Sequence, residues 1–216
     1  MDALIGGFRK FRATAFPRHQ ERFRRLAVIG QSPRTALVAC CDSRVDPQMI
    51  FSAKPGELFV IRNVANLVPP YAPSGAYHGT SAALEFAVRQ LGVSEVIVMG
   101  HTLCGGVRAL VEGAPEGSDF IGAWMSIAKD VRDRVLAGMA TDPEQARALA
   151  EREAIRQSLA NLMTFPWVRE RVEAGELALR GCLFDVAAAD LLVLDPESGE
   201  FRSVSGDEGE PARAVG

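Results

Sequence analysis

Three short apolar stretches without polar alternation stand out in the first half of the chain. They cover residues 35–40 (TALVAC), 58–61 (LFVI) and 95–99 (EVIVM). Continuous apolar runs of this length are typical of strands that are covered on both faces, as in a parallel sheet. Residues 79–91 lie between the last two runs and place apolar side chains at helical spacing after potential capping hydroxyls. This order predicts a strand–helix–strand unit with a right-handed crossover.

The second half of the chain combines longer helical patterns with further strand-like runs. Helical spacing covers residues 119–137, 143–163 and 166–174, and strand-like runs cover residues 179–186 and 191–194. A turn-forming DPESG segment and Phe201 follow, which indicates a hairpin at the sheet edge. The pattern predicts an α/β fold: a mainly parallel central sheet, with about four parallel strands and an antiparallel edge strand, flanked by helices.

The first 30 residues are predicted to form an N-terminal helical arm. Between residues 9 and 25, seven basic side chains stand against one acidic side chain, Glu21, and phenylalanines recur among them. This composition favours an amphipathic helix that docks its aromatic side chains on a partner surface, such as another subunit. An organelle transit peptide is the alternative. Residues 1–205 are predicted to form a single domain and residues 206–216 a polar tail.

Composition and charge indicate which kinds of molecule the protein could bind. The chain has 216 residues, of which 48% are hydrophobic and 24% charged, as expected for a globular protein with a substantial core. Its formal net charge of -3 gives no electrostatic support for binding nucleic acid or an anionic membrane. No apolar run reaches the roughly 18 residues needed to span a bilayer, and the N-terminus lacks a secretory signal pattern. A cytoplasmic protein with a small-molecule substrate is therefore predicted.

Cysteine and histidine are concentrated after two of the three apolar runs. The first run leads into CCDSR (residues 40–44), and the third is followed by HTLC (residues 101–104). The carboxyl ends of parallel strands meet at one edge of a sheet, where ligands bind in such folds. His101 and Cys104, with one thiolate from the first segment, would form a Cys2His set that suits zinc and leaves a fourth position open. Four cysteines do not make a disulfide scaffold in a chain of this size, so metal binding or catalysis is their predicted use.

Alternation along an extended chain separates the two adjacent cysteines. Cys40, Asp42 and Arg44 share one face, whereas Cys41 points to the other. Cys40 is therefore the predicted ligand, and Asp42 would accept a hydrogen bond from a metal-bound hydroxide. Arg44 would keep Asp42 ionised and turned away from the metal. A closed structural zinc site is the alternative, with Cys41, Asp42 or His78 as its fourth ligand.

Two longer motifs point to a known family. CxDSR and HxxCGG occur here as residues 40–44 and 101–106, and at these residues the sequence resembles the β-class carbonic anhydrases. The resemblance extends over about residues 5–204. It includes PGELFVIRNVANLVPPY (residues 55–71), HGTSAALEFAV (78–88), EREAIRQSLANL (151–162) and GCLFDV (181–186).

The resemblance implies a reaction and the residues that carry it. Members of this class use zinc-bound hydroxide for the reversible hydration of carbon dioxide to bicarbonate and a proton. By position, one zinc ion per subunit would be held by Cys40, His101 and Cys104. Asp42 and Arg44 would form the catalytic pair, and the backbone near Gly105 would contact the substrate. The alternatives are hydrolysis of carbonyl sulfide or carbon disulfide on the same fold, and a zinc-stabilised binding protein without activity.

Plant-like members of the class line the substrate pocket with a glutamine and apolar or aromatic side chains. These positions are occupied here by Gln31, Phe59, Val64 and Phe86. Phe86 replaces a common tyrosine, so a hydroxyl contact is lost. An apolar slot suits uncharged carbon dioxide, although core packing is the alternative interpretation for Phe59 and Val64. The class also implies a homodimer or homotetramer with the active site at the subunit interface.

Some bacterial members carry a regulatory bicarbonate site built from a tryptophan, an arginine and a tyrosine. Leu37, Arg62 and Phe184 occupy these positions here, so the tryptophan and the tyrosine are missing. The sequence therefore predicts the open form of the site, in which Asp42 does not bind the metal.

Overall fold

The computed structural model describes residues 1–74, 77–139 and 142–205, so the predicted polar tail, residues 206–216, lies outside the described residues. Its centre is a sheet with the strand order β2-β1-β3-β4-β5-β6. The strands are β1 (Thr35–Cys40), β2 (Leu58–Asn63), β3 (Glu95–His101), β4 (Ala178–Asp185), β5 (Asp190–Leu194) and β6 (Phe201–Ser203). The first four are parallel, and β5 and β6 continue the sheet in antiparallel pairing. The predicted α/β class with its parallel strands is confirmed, and β5 and β6 form the hairpin that was expected at the antiparallel edge.

Helices precede, connect and cover the strands. They are α1 (Asp2–Thr14), α2 (Phe16–Ile29), α3 (Pro47–Ile50), α4 (Gly79–Glu85), α5 (Gly105–Glu112), α6 (Ile121–Met125), α7 (Lys129–Arg134), α8 (Pro143–Leu162) and α9 (Pro166–Glu173). Helix α8 begins at Pro143, as predicted, because Asp142 caps it by accepting the backbone N–H groups of Glu144 and Gln145. In the described ranges no helix is both long and apolar enough to cross a bilayer.

Two helical regions differ from the expectation. Helix α5 was not predicted, because it is only 8 residues long and begins with two glycines, which are poor helix formers. The single helix expected over residues 119–137 is divided into α6, a 3-10 turn at Ser126–Ala128, and α7. At this division Ser126 Oγ donates to the carbonyl O of Ala123 at 2.7 Å, and such local side-chain bonds compete with regular helical bonding.

Both faces of the parallel strands are covered, as their continuous apolar sequences indicate. On one face, alternate residues of β1 pack with α4, α8 and α9. On the other face, Leu37 and Ala39 pack near Ile50 at the end of α3. A further cluster beyond the carboxyl ends of β1 and β3 is built largely by α5, α6, α7 and α8, and it includes Cys40 and Cys104. The candidate ligands are therefore part of a packed core.

The N-terminal arm is a pair of helices, whereas one amphipathic helix was expected. Neither α1 nor α2 contributes a buried residue. Arg22 of α2 connects the arm to the domain, because it donates to the carbonyl O of Pro55 at 2.5 Å and pairs with Glu57 at 3.2 Å. Four phenylalanines pack against one another in the arm, with ring centroids 5.5 to 6.4 Å apart: Phe8, Phe11, Phe16 and Phe23.

Candidate metal centre

Two segments that follow adjacent strands carry the predicted ligands. The first ligand segment (residues 40–46) begins at the end of β1 with Cys40, and the second ligand segment (residues 101–106) begins at the end of β3 with His101. Because β1 and β3 are parallel neighbours, both segments lie at the same edge of the sheet. In the second segment Leu103 has a left-handed backbone with a φ of 59°, which turns the chain between its two candidate ligands.

The three predicted ligands form a compact buried cluster. The Sγ atoms of Cys40 and Cys104 are 3.9 Å apart, and the ligand atoms of these two residues and His101 all lie within 4.8 Å of one another. At most 5% of the surface of each residue is exposed. In the described part of the chain this is the one group of three or more histidine, cysteine or acidic side chains with such spacing.

The donors of this cluster fit a zinc ion. His101 Nδ1 lies 2.9 Å from the carbonyl O of Thr102 and can donate to it, which leaves Nε2 as the nitrogen with a free lone pair. Nε2 is buried and has no hydrogen-bond partner among the described residues. Buried polar atoms normally have a partner, and two thiolates with an imidazole are a donor set that zinc prefers. The unpartnered Nε2 is thus the structural observation that favours a metal here.

The two thiols of the cluster compete for one proton. The hydrogen bond with Cys104 lowers the pKa of Cys40, and the backbone amides of Asp42 and Ala65 stabilise the same thiolate. The pairing with Cys40, together with burial, raises the pKa of Cys104. A cation beside both sulfurs would remove this competition, because cysteine binds metals as the thiolate.

Asp42 and Arg44 form a two-pronged ion pair beside the cluster. Arg44 Nε donates to Asp42 Oδ1 at 2.9 Å and Arg44 Nη2 donates to Asp42 Oδ2 at 2.7 Å. These bonds hold the pKa of the Asp42 carboxyl well below its usual range, so the group is ionised at neutral pH. Asp42 Oδ2 also lies 3.9 Å from His101 Nε2, at the border of the cluster. Arg44 Nη2 further donates to the carbonyl O of Leu103 at 3.0 Å and so links the two ligand segments.

The alternative fourth ligands are not gathered with the three. Cys41 is exposed and borders a separate apolar groove. His78 Nε2 lies 3.3 Å from Ser74 Oγ. Of the three alternatives Asp42 alone borders the cluster, and its carboxylate is held by Arg44.

Glu151 of α8 supports the second ligand segment, a role that the sequence analysis missed. Its Oε1 accepts the backbone N–H of Cys104 at 3.0 Å, and the residue is 5% exposed. Burial raises the pKa of the Glu151 carboxyl, although the bond from the Cys104 amide opposes this. A signal was present, because Glu151 stands four residues before Ile155 on the apolar face of α8, where an acidic side chain needs a partner.

The turn after β2 packs directly against the start of α5. Ala65 in this turn has a left-handed backbone with a φ of 64°. A Cβ atom on Gly106 would lie 2.8 Å from Val64 Cγ1 and 2.9 Å from Ala65 Cβ, so only glycine permits this approach. The contact holds Cys104, which precedes α5, near the turn whose Ala65 amide donates to Cys40.

Two of the predicted substrate contacts lie in or beside the ligand segments: Gly105 and Val64. Gly105 borders a cavity of about 570 Å³ whose wall also includes Asp42 and Arg44. A Cβ atom on Gly105 would meet no atom within 4 Å beyond its own chain neighbours and helix backbone, so that side of the residue faces open space. Val64 borders the apolar groove of about 420 Å³ beside Cys41.

Gln31, Phe59 and Phe86 are not brought to the ligands within one chain. Gln31 is exposed in the segment before β1, and Phe59 and Phe86 stack on each other with ring centroids 6.0 Å apart. Phe59 precedes Asn63, the register partner of Cys40, by four residues, so roughly 13 Å of strand separates it from the ligands. A role for these three side chains at a metal centre would need a second copy of the chain.

Comparison with known proteins assigns the family. A family model described as carbonic anhydrase matches residues 35–191. The fold is also similar to the solved structure of the beta-carbonic anhydrase CcaA, with a TM-score of 0.89 and 34% identity over 94% of this chain and 91% of that chain. The chain belongs to the β-class carbonic anhydrases. This membership in a family of zinc-dependent enzymes confirms the resemblance found in the sequence.

Other β-class relatives match nearly the whole chain. A carbonic anhydrase of Pseudomonas aeruginosa is 37% identical over 218 residues, which cover 100% of this chain and 96% of the relative. The mitochondrial beta carbonic anhydrase 6 of Arabidopsis thaliana is 38% identical over 196 residues, which cover 88% of this chain but 66% of that longer relative. A structure from a pair of tetrameric beta-carbonic anhydrases of Sordaria macrospora has a TM-score of 0.77 and 26% identity, over 90% of this chain and 98% of its own.

Proposed function

We propose that this chain catalyses the reversible hydration of carbon dioxide to bicarbonate and a proton, with one zinc ion per subunit held by Cys40, His101 and Cys104. The observation that carries the proposal is the buried Cys2His cluster, in which His101 Nε2 has no partner, beside the formed pair of Asp42 and Arg44. Membership of the β-class carbonic anhydrases supports the reaction, and the donor set supports the metal.

Asp42 is proposed to orient the nucleophile. When bound, zinc with three protein ligands would keep its fourth position for water and lower the pKa of that water, which supplies a nucleophile at neutral pH. The reaction adds the elements of water across one C=O bond of carbon dioxide, and one proton leaves to the solvent. The ionised Asp42 carboxylate would accept a hydrogen bond from the nucleophile and so turn a lone pair toward the carbon atom.

Arg44 is proposed to keep Asp42 in this role. Its guanidinium binds both carboxylate oxygens, so Asp42 stays ionised and is restrained from turning into the ligand cluster. Its bond to the carbonyl O of Leu103 also joins the pair to the second ligand segment. A lysine at this position would supply charge without the two parallel bonds.

The substrate site is proposed to be completed by a second copy of the chain. Carbon dioxide carries no charge, so its binding depends on an apolar surface with a few donors for the developing bicarbonate. Val64 and the backbone near Gly105 are the proposed contacts from the chain that holds the ligands. Gln31, Phe59 and Phe86 are proposed to line the site of a neighbour, in a homodimer or homotetramer with active sites at the interface. The exposure of Phe86, 45%, and the tetrameric state of the Sordaria macrospora relatives support this arrangement.

The proposals for the domain, the N-terminal arm, the partners and the location rest on the sequence. Residues 1–205 are proposed to form one catalytic domain, with residues 1–30 as an arm that docks on the neighbouring subunit. Neither nucleic acid nor a membrane is a proposed partner. The cytoplasmic location stays a prediction, and the Arabidopsis thaliana relative is named as mitochondrial.

The function is tested by stopped-flow hydration of carbon dioxide with a pH indicator, on protein of known zinc content. Asp42→Asn keeps the shape of the side chain but removes its charge, so we expect kcat to fall about 10- to 100-fold while zinc is retained. Asp185→Asn is the matched control, because Asp185 lies at the carboxyl end of the neighbouring strand β4 and its side chain accepts the local backbone N–H groups of Ala187 and Ala188. It should keep the activity of the unsubstituted chain.

Two outcomes would contradict the proposal. A zinc-loaded chain that does not hydrate carbon dioxide but hydrolyses carbonyl sulfide would establish the hydrolase alternative. A zinc-loaded chain that acts on neither substrate would leave a zinc-stabilised binding protein.

A further inference from the structure

Arg62 of β2 binds three carbonyl groups of the first ligand segment. Its Nε donates to the carbonyl O of Cys40 at 2.9 Å. Its Nη2 donates to the carbonyl O of Asp42 at 2.7 Å and to that of Val45 at 2.9 Å. One side chain therefore holds the backbone of the segment on both sides of the Asp42 carboxylate and at the metal ligand itself.

The first ligand segment leaves the sheet at the point where Arg62 reaches it. Strand β1 ends at Cys40, and one more bond, from the backbone N–H of Cys41 to the carbonyl O of Asn63, continues the pairing with β2 at 2.9 Å. Arg62 is the register partner of Ala39, directly before the ligand, so its side chain extends over the start of the segment. A guanidinium presents five donors in a rigid plane, which allows it to fix several acceptors relative to one another.

We infer that Arg62 is a positioning residue, which holds the first ligand segment in the curve that presents the Cys40 sulfur to the metal and the Asp42 carboxylate to the reacting group. The effect on the reaction rests on the proposed function, whereas the effect on metal binding does not. Arg44 cannot replace Arg62, because its donors are directed to Asp42 and to the second ligand segment.

If Arg62 only stabilised the fold, its loss would lower the free energy of unfolding more than it changed the metal site. Strand β2 is held to β1 by the ladder from Thr35 to Cys40, and Arg62 donates one side-chain bond to the last residue of that ladder and two to the segment beyond it. Its side chain is 31% exposed, so shortening it leaves space that water can enter rather than a buried cavity. Its loss is therefore expected to change the metal site more than the free energy of unfolding.

The test compares Arg62→Met and Arg62→Lys with Arg202→Met as a control. Arg202 lies on the edge strand β6, where it pairs with Asp195 at 3.3 Å. Zinc affinity is measured by competition with a chromophoric chelator, and metal coordination is measured from the absorption spectrum of the cobalt-substituted protein. We expect Arg62→Met to weaken zinc binding about 10- to 100-fold and to alter the cobalt spectrum. Arg62→Lys should restore part of the affinity, and Arg202→Met should change neither readout.

Each outcome decides the inference. Arg62→Met with unchanged zinc affinity and cobalt spectrum overturns it, even if the melting temperature falls. If Arg62→Met does not fold, Arg62→Lys is used, and amide hydrogen exchange of residues 40–46 should be about tenfold faster than in the unsubstituted chain. Unchanged exchange and zinc affinity in Arg62→Lys would then overturn the inference. A zinc-loaded chain without hydration activity ends the proposed function but leaves these metal and exchange readouts valid.

Discussion

The two ligand segments reach one site by different means. The first leaves the sheet in a turn that places Cys40 and Val45 in the core, and its backbone is held by a long side chain, that of Arg62. The second runs from β3 directly into α5 and is held by contacts in the interior. There Gly106 touches the turn after β2, and Glu151 accepts the amide of Cys104. One segment thus depends on a partly exposed cation, and the other depends on close packing and a buried carboxylate.

This difference predicts how substitutions in the two segments should affect activity and stability. The first segment carries both a candidate ligand, Cys40, and the carboxylate of Asp42, so its geometry should influence activity more than the free energy of unfolding. The second segment is fixed by the close contact of Gly106 and by the buried Glu151 carboxylate, so substitutions that disturb these contacts should lower both stability and metal affinity.

The largest effect is expected at the ligands themselves, where substitutions in the two segments should have the same consequence. Cys40→Ser and Cys104→Ser each remove one soft donor and leave two ligands, so both should lose zinc during dialysis against a chelator and show background hydration activity. Cys182→Ala is the control, because burial raises the pKa of the Cys182 thiol to about 12 and the residue lies outside the cluster. Stoichiometric zinc in either serine variant, measured by atomic absorption, would contradict this assignment.

The next largest effect is expected at Glu151, the buried carboxylate that supports the second segment from α8. Glu151→Ala removes the acceptor of the buried Cys104 amide, which should lower the free energy of unfolding by about 2 to 3 kcal/mol. We expect zinc affinity to fall about tenfold in the same variant. Glu151→Gln keeps an acceptor oxygen and should lose much less of both. Urea denaturation and chelator competition measure the two effects, and equal losses in the two variants would show that the charge, not the acceptor, matters.

The smallest effect concerns the close packing of α5. Gly106→Ala places a methyl group within 3 Å of Val64 and Ala65, which should destabilise the fold by about 1 to 2 kcal/mol. Gly105→Ala changes the adjacent glycine, which faces open space, and should leave the free energy of unfolding nearly unchanged. Equal thermal unfolding of the two variants would show that the close approach of Gly106 to the turn after β2 does not limit the stability of the fold.

The candidate ligands could be recognised from the sequence because they lie in short motifs at strand ends. Alternation along an extended strand separated Cys40 from Cys41, and the structure buries the first in the cluster and exposes the second. Three of the parallel strands, β1, β2 and β3, could be predicted from continuous apolar runs, which are typical of strands covered on both faces.

The supports of the site could not be predicted in this way, because they depend on how distant elements pack. Arg62 lies 22 residues from Cys40, and Glu151 lies 47 residues from Cys104. Helix α5 begins with glycines that local propensity disfavours, and tertiary packing against the turn after β2 overrides that propensity. A role for Phe59 and Phe86 at the site would depend on a second subunit, which no local pattern describes.

The most direct test of the proposed zinc-dependent hydration is oxygen-18 exchange between labelled bicarbonate and water, followed by mass spectrometry while zinc is titrated into chelator-stripped protein. We predict that the exchange rate rises in proportion to bound zinc, up to one ion per subunit, and that Cys104→Ser gives no increase at the same zinc concentration. A chain that binds one zinc ion per subunit and leaves the exchange at its uncatalysed rate would contradict the proposed function.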